Sequence, residues 1–219
     1  KGNFINKNGK LISKQWFDFC RDFIEGFAAV ELNDKWNFID KDENYISEQW
    51  FDKCRHFTGK FAAVKLNDKC NFIDTDGNIL SEQWFDFCND FNEGFAAIEL
   101  NEKYNFIDKD RNYLLKQWFD YCDNFRDGFA VIGLNDKNNI INKDGKLISK
   151  QWFDRCGYFF DGFANVKLND KWNFINTNGK LISKQWFDNC YSFFEGFAFV
   201  KLNGKNYKID KNGNLYELI

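Results

Sequence analysis

The sequence has no proline, no methionine and one histidine, His56, among 219 residues. Without proline, every backbone N–H stays available to a sheet or a turn, which suits a chain built from strands. A single histidine at a variable position supplies no nucleophile–base pair, and His56 reads as a surface side chain. No apolar run approaches the roughly 18–20 residues that a membrane helix needs, and no signal peptide is visible. The chain opens at Lys1, so a removed leader or an upstream domain is left open. Charge of one sign is also lacking. Thirty Lys and Arg stand against 33 Asp and Glu, interspersed, for a net charge of -3. That balance excludes the basic footprint of a nucleic-acid binder. With 44% hydrophobic residues, disorder is excluded too.

Aromatic residues are abundant, at 28 Phe, 8 Trp and 8 Tyr, which is ample material for a packed interior. They recur with a period of 34 residues and no insertion or deletion. The clearest tag is Trp-Phe-Asp-x-Cys. Its tryptophans are Trp16, Trp50, Trp84, Trp118, Trp152 and Trp186. Its aspartates are Asp18, Asp52, Asp86, Asp120, Asp154 and Asp188. Its cysteines are Cys20, Cys54, Cys88, Cys122, Cys156 and Cys190. A period in this range signals a solenoid, a propeller or another array.

Within the period, Ala96, Ile98 and Leu100 alternate with other residues, as do Ala28, Val30 and Leu32, which predicts a strand. Asn33-Asp34 and Asn169-Asp170 predict a primed two-residue turn, since Asn tolerates positive φ. A second strand follows at Lys35–Ile39 and its copies. A Gly-containing loop such as Asn176-Thr177-Asn178-Gly179 then leads to a third strand, predicted at Lys10-Leu11-Ile12-Ser13 and its copies. The tag itself predicts an irregular crossover with its aromatics turned inward. The expected fold is therefore all-β, an open array of about six three-stranded antiparallel units over residues 1–219. The first unit is partial (1–26) and the terminal one covers 197–219. A surplus hairpin favours the open array over the alternative, a β-propeller.

The motifs Lys171-Trp172-Asn173-Phe174-Ile175-Asn176 and Phe193-Phe194-Glu195-Gly196-Phe197-Ala198 resemble the WG-repeat, or KWG-repeat, family of bacterial proteins. Asn37 and Asn173 stand where that family has Gly. Its Trp becomes Cys70, Tyr104, Asn138 and Asn206 in other units. The resemblance implies an all-β repeat from a bacterium or phage and carries no catalytic residue across.

The residues offer little chemistry. Stacked cysteines one repeat apart should lie about 14 Å from one another across three strands, beyond the roughly 7 Å a disulfide allows. They are expected as free thiols filling the core, in a cytoplasmic, reducing setting. No C-x₂₋₄-C pair suggests zinc, and Asp74-Thr75-Asp76-Gly77-Asn78 is too short for a calcium loop. No metal, cofactor or catalytic residue is expected. The aspartate row is expected to hold turns and the tryptophan row to pack in the core. Read the other way, the two rows form a carbohydrate-binding face.

Positions that differ between copies are free of the repeat's own demands. Phe19, Arg21, Arg55, Arg126, Tyr158, Phe160, Tyr191 and Phe194 are the residues expected to form a partner-binding strip, because Tyr and Arg dominate hot spots. The expected function is a non-enzymatic scaffold that binds another protein. Neither nucleic acid nor membrane is expected as a partner.

Overall fold

Nineteen strands and no helix are present among the described residues, 1–218, of the computed structural model. They form six antiparallel sheets in tandem. Sheet 1 holds β1 (Phe19–Cys20), β2 (Ala28–Leu32) and β3 (Lys35–Ile39). Sheet 2 holds β4 (Lys53–Cys54), β5 (Phe61–Leu66) and β6 (Lys69–Asp74). Sheet 3 holds β7 (Phe87–Cys88), β8 (Phe95–Leu100) and β9 (Lys103–Asp108). Sheet 4 holds β10 (Tyr121–Cys122), β11 (Phe129–Leu134) and β12 (Lys137–Asn142). Sheet 5 holds β13 (Arg155–Phe160), β14 (Phe163–Leu168) and β15 (Lys171–Asn176). Sheet 6 adds a fourth strand to the pattern, with β16 (Asn189–Cys190), β17 (Phe197–Leu202), β18 (Lys205–Asp210) and β19 (Leu215–Glu217). The chain divides into two compact units. One comprises Lys1–Glu102 and Phe106–Tyr113, the other Lys103–Asn105 and the chain from Leu114 onward.

The long hairpins follow the sequence. Asn33 and Asp34 take φ of 52° and 60°, and Asn169 and Asp170 take 48° and 61°, the two consecutive positive values of a primed turn. The third strand does not lie where the sequence placed it. Leu11 and its counterparts make only isolated bridges, such as Ile5–Leu11 and Ile39–Tyr45. The terminal copy, β19, is the exception. Elsewhere the third strand comes out of the expected crossover. Phe51 exchanges both backbone hydrogen bonds with Trp36, at 2.7 and 2.8 Å. Two residues later Lys53 and Cys54 pair with Lys65 and Val64. The tag thus steps from the edge of one sheet onto the edge of the next.

A buried asparagine explains why the loop segment does not form a ladder. Asn173 is fully buried. Its Nδ2 donates to the carbonyls of Ser183 (2.8 Å) and Gln185 (3.1 Å), and its Oδ1 accepts from the Phe174 amide (2.8 Å). Asn37, Asn71 and Asn139 do the same in their copies. Backbone groups that a strand would have paired are satisfied by this side chain, as burial requires.

Sheets 1, 2, 4 and 5 are each covered by an aromatic ring of the repeat that follows. Phe57 seats its ring 4.9 Å from Phe27 and 4.8 Å from Phe38, both on the preceding repeat. Phe193 does the same with Phe163 (4.6 Å) and Phe174 (4.8 Å). This cover buries both faces of the leading strand, so Ala28, Ala29 and Val30 are all buried rather than alternating. Simple alternation survives in β14 and in β17, where Phe199 is exposed.

The expectation of seven free thiols fails at one pair. Cys70 is joined to Cys88 by a disulfide, with Cα atoms 6.0 Å apart. The spacing argument compared cysteines one repeat apart and did not reach this one. Cys70 occupies the position of Trp36 and Trp172, whose rings pack in the same clusters as Cys54 and Cys190. Replacing the ring by a thiol brings two sulfurs together, and β6 of sheet 2 is covalently tied to β7 of sheet 3. Cys20, Cys54, Cys122, Cys156 and Cys190 remain free. Desolvation raises all five thiols, Cys156 and Cys190 to about 12, so they are inert filler.

Candidate functional site

The aspartate row is consumed by the fold. Asp52 accepts the Asn67 amide at 2.6 Å through Oδ2, while Oδ1 takes the Lys35 ammonium. Asp86 repeats this with Asn101 and Lys69, Asp120 with Asn135 and Lys103, and Asp154 with Asn169 and Lys137. Hydrogen bonds from the lysine, then from the backbone amide, hold Asp52, Asp86 and Asp120 below the usual carboxylate range. Each carboxylate thus pins the primed turn of its own sheet to a lysine of the sheet before. A sugar approaching this row would meet oxygens already engaged.

Contrary to expectation, the tryptophan row is core only in part: Trp84 and Trp186 pack against core clusters without being enclosed by them. Trp16 is 49% exposed, and Trp50, Trp84, Trp118, Trp152 and Trp186 are half-buried. The neighbouring phenylalanine of the tag is the buried one. Phe17, Phe51, Phe85 and Phe187 have no exposed surface. In the alternating backbone of the tag, one of two adjacent aromatics must face outward.

The variable strip is brought together in two places. In the first, the Arg21 guanidinium lies 4.8 Å from the Trp36 ring centroid, Phe19 stands 5.9 Å from the same ring, and Arg21 Nη1 donates to the Cys54 carbonyl at 3.1 Å. Arg21, Trp36 and Cys54 wall a cleft of about 620 Å³ that Lys53, Arg55, Lys65 and Phe87 also line. In the second, Arg126 lies 4.4 Å from the Tyr158 ring centroid, and the Tyr158 hydroxyl donates to Asp123. That hydrogen bond to a carboxylate raises the phenol. Tyr158 is therefore held by its neighbours rather than offered to a partner. Phe160, Tyr191 and Phe194 are 45%, 65% and 75% exposed. Among the described residues no ring contact joins these three.

Sequence reasoning missed Trp36 as the platform for Arg21, and Lys65. Lys53 and Lys65 are directly opposed across β4 and β5. That pairing is set by hairpin register, and no single position displays it.

The repeat itself is matched by the family described as WG containing repeat, at residues 4–36, 38–70, 72–104, 106–137, 140–172 and 174–205. The chain belongs to the WG-repeat family. In this WG-repeat protein, Asn37, Asn71, Asn105, Asn139 and Asn173 make the residue after the Trp position a buried hydrogen-bonding group. No curated protein matches the sequence. Among solved structures, a eukaryotic initiation factor shares 9% identity over 97% of this chain and 69% of its own, with a TM-score of 0.50. Hsv2 of Kluyveromyces lactis, with loop 6CD replaced by a Gly-Ser linker, shares 13% over 93% and 80%, with a TM-score of 0.44. The initiation factor's likeness is one of fold alone.

Proposed function

We propose that this WG-repeat chain is a non-enzymatic scaffold that binds another protein through the positions on which its copies differ. One observation carries the reading. The polar groups that recur in the units, the aspartate and asparagine rows, are spent on internal hydrogen bonds. The large side chains left in solvent include Phe19, Phe160, Tyr191 and Phe194, all from variable columns. Exposed aromatics and arginine are the residue types that anchor protein interfaces. An array of related units also multiplies weak contacts, so avidity can replace a single deep site.

The test is capture of a native partner by the wild-type chain and by a Phe160→Ser, Tyr191→Ser, Phe194→Ser triple variant. Loss of the same captured protein, with unchanged circular dichroism and melting, is the expected outcome. Undiminished capture would remove these side chains from the interface. Glycan-array binding competed by neither variant nor partner would favour the carbohydrate reading instead.

A further inference from the structure

The cleft in the compact unit that contains Lys1–Glu102 concentrates cations in a chain whose net charge is -3. Arg21, Lys53, Arg55 and Lys65 line it. Its walls carry two carboxylates, Glu31 and Asp86, and Asp86 is already held by Lys69 and the Asn101 amide. Lys53 and Lys65 are directly opposed residues of an antiparallel pair. Such residues have Cβ atoms about 4.5–5.5 Å apart, and like charges there oppose folding. Lys65 leans away to Asp68, at 3.0 Å, and Lys53 remains exposed. Arg21 is fixed on the Trp36 face and tethered by one nitrogen to the Cys54 carbonyl. The rest of its donor fork is thus pre-oriented for a carboxylate. Arg55 is steadied by Asp90 at 3.3 Å. Between these charges stand the half-buried Trp36 and the 40% exposed Phe87.

We propose that this cleft binds an acidic peptide segment, with carboxylates on Arg21 and the Lys53–Lys65 pair and an apolar side chain between Trp36 and Phe87. The inference rests on the protein-binding reading and gives the partner its chemistry. The cleft's volume of about 620 Å³ lies within the roughly 300–1,000 Å³ of ligand sites. A short acidic segment suits it better than a long polyanion. Beyond the cleft, acids outnumber bases on this chain, so each further phosphate or sulfate would meet net repulsion.

The experiment is fluorescence anisotropy with a labelled heptapeptide of alternating Glu and Leu, on the full chain. Saturable, salt-sensitive binding is expected, together with a change in tryptophan emission. Lys53→Gln with Lys65→Gln should weaken it at least tenfold, and should leave Tm close to wild type, because relief of the like-charge pair offsets loss of the exposed Lys65–Asp68 ion pair. Arg21→Gln should weaken it similarly. A control with the same charge change outside the cleft, Lys41→Gln with Lys60→Gln, should bind within twofold of wild type. Equal weakening by both lysine pairs would mean diffuse attraction and overturn the proposal. Tighter cleft-dependent binding of a single-stranded oligonucleotide or a heparin oligosaccharide would also overturn it, in favour of a polyanion site. If the cleft variants capture the native partner normally, the cleft assignment fails while the scaffold reading stands. If the peptide binds as expected but the triple serine variant loses no partner, the exposed-aromatic interface fails while the cleft remains.

Discussion

At the scale of single residues, the most consequential side chain is the buried asparagine that follows the Trp position. It does for the connecting loop what a strand ladder would otherwise do, using one side chain to satisfy two carbonyls and an amide. Asn173→Ala leaves the Ser183 and Gln185 carbonyls and the Phe174 amide without that partner. Each buried group stranded in this way costs about 1–3 kcal/mol, so the variant should lose at least about 2 kcal/mol in urea unfolding. Asn173→Asp should be comparably damaging, because it keeps the acceptor but turns the donor against two carbonyl oxygens. A loss below about 0.5 kcal/mol, the level of a surface change, would show that water replaces the amide. The asparagine is visible in the sequence as a departure from the Gly of the family motif. Its meaning is not, because its partners lie 10 and 12 residues further on and only the folded loop brings them back.

At the scale of elements, hairpins were legible and the short strand was not. Alternation and Asn-led turns encode the long hairpins locally, so Lys35–Ile39 and its turn lie where the residues place them. A two-residue strand such as Lys53–Cys54 has no periodicity to read. It exists because Phe51 is already paired to Trp36, which delivers the next residues to the following sheet. The same handover put Cys70 beside Cys88, which a rule comparing equivalent positions could not foresee. This crosslink gives a prediction of its own. It closes a loop with a sequence separation of 18, for which chain entropy suggests about 3 kcal/mol of stabilisation. Dithiothreitol should lower the Tm of the wild-type chain. It should not shift Cys70→Ser further, since that variant already lacks the bridge. Cys54→Ser should retain the response to reductant. A wild-type Tm indifferent to reductant would mean that sheets 2 and 3 are fully held by their noncovalent packing.

At the scale of the whole molecule, the array gains stability by repetition, so a small term present in every unit acts many times. The aspartate row is such a term, and it makes stability depend on pH in a determined direction. Asp18, Asp52, Asp86, Asp120, Asp154 and Asp188 all have folded pKa values below the ordinary value. For Asp18 the Asn33 amide is the leading cause, and for the other five the lysine hydrogen bond is. A depressed carboxylate binds fewer protons folded than unfolded. Its contribution is therefore complete above the unfolded value, near 3.9, and is lost as pH falls through the lower folded value. Between pH 7 and 5 the row should leave Tm unchanged. Below about pH 4, Tm should fall steeply, because six groups take up protons over the same range. General repulsion from the growing positive charge acts there too, and the double variant Asp86→Asn with Asp188→Asn separates the two. It should melt lower than wild type at pH 7, having given up two clamps, and its decline below pH 4 should be shallower. Parallel wild-type and variant curves would assign the acid sensitivity to net charge, leaving the lysine–aspartate clamps no part in it.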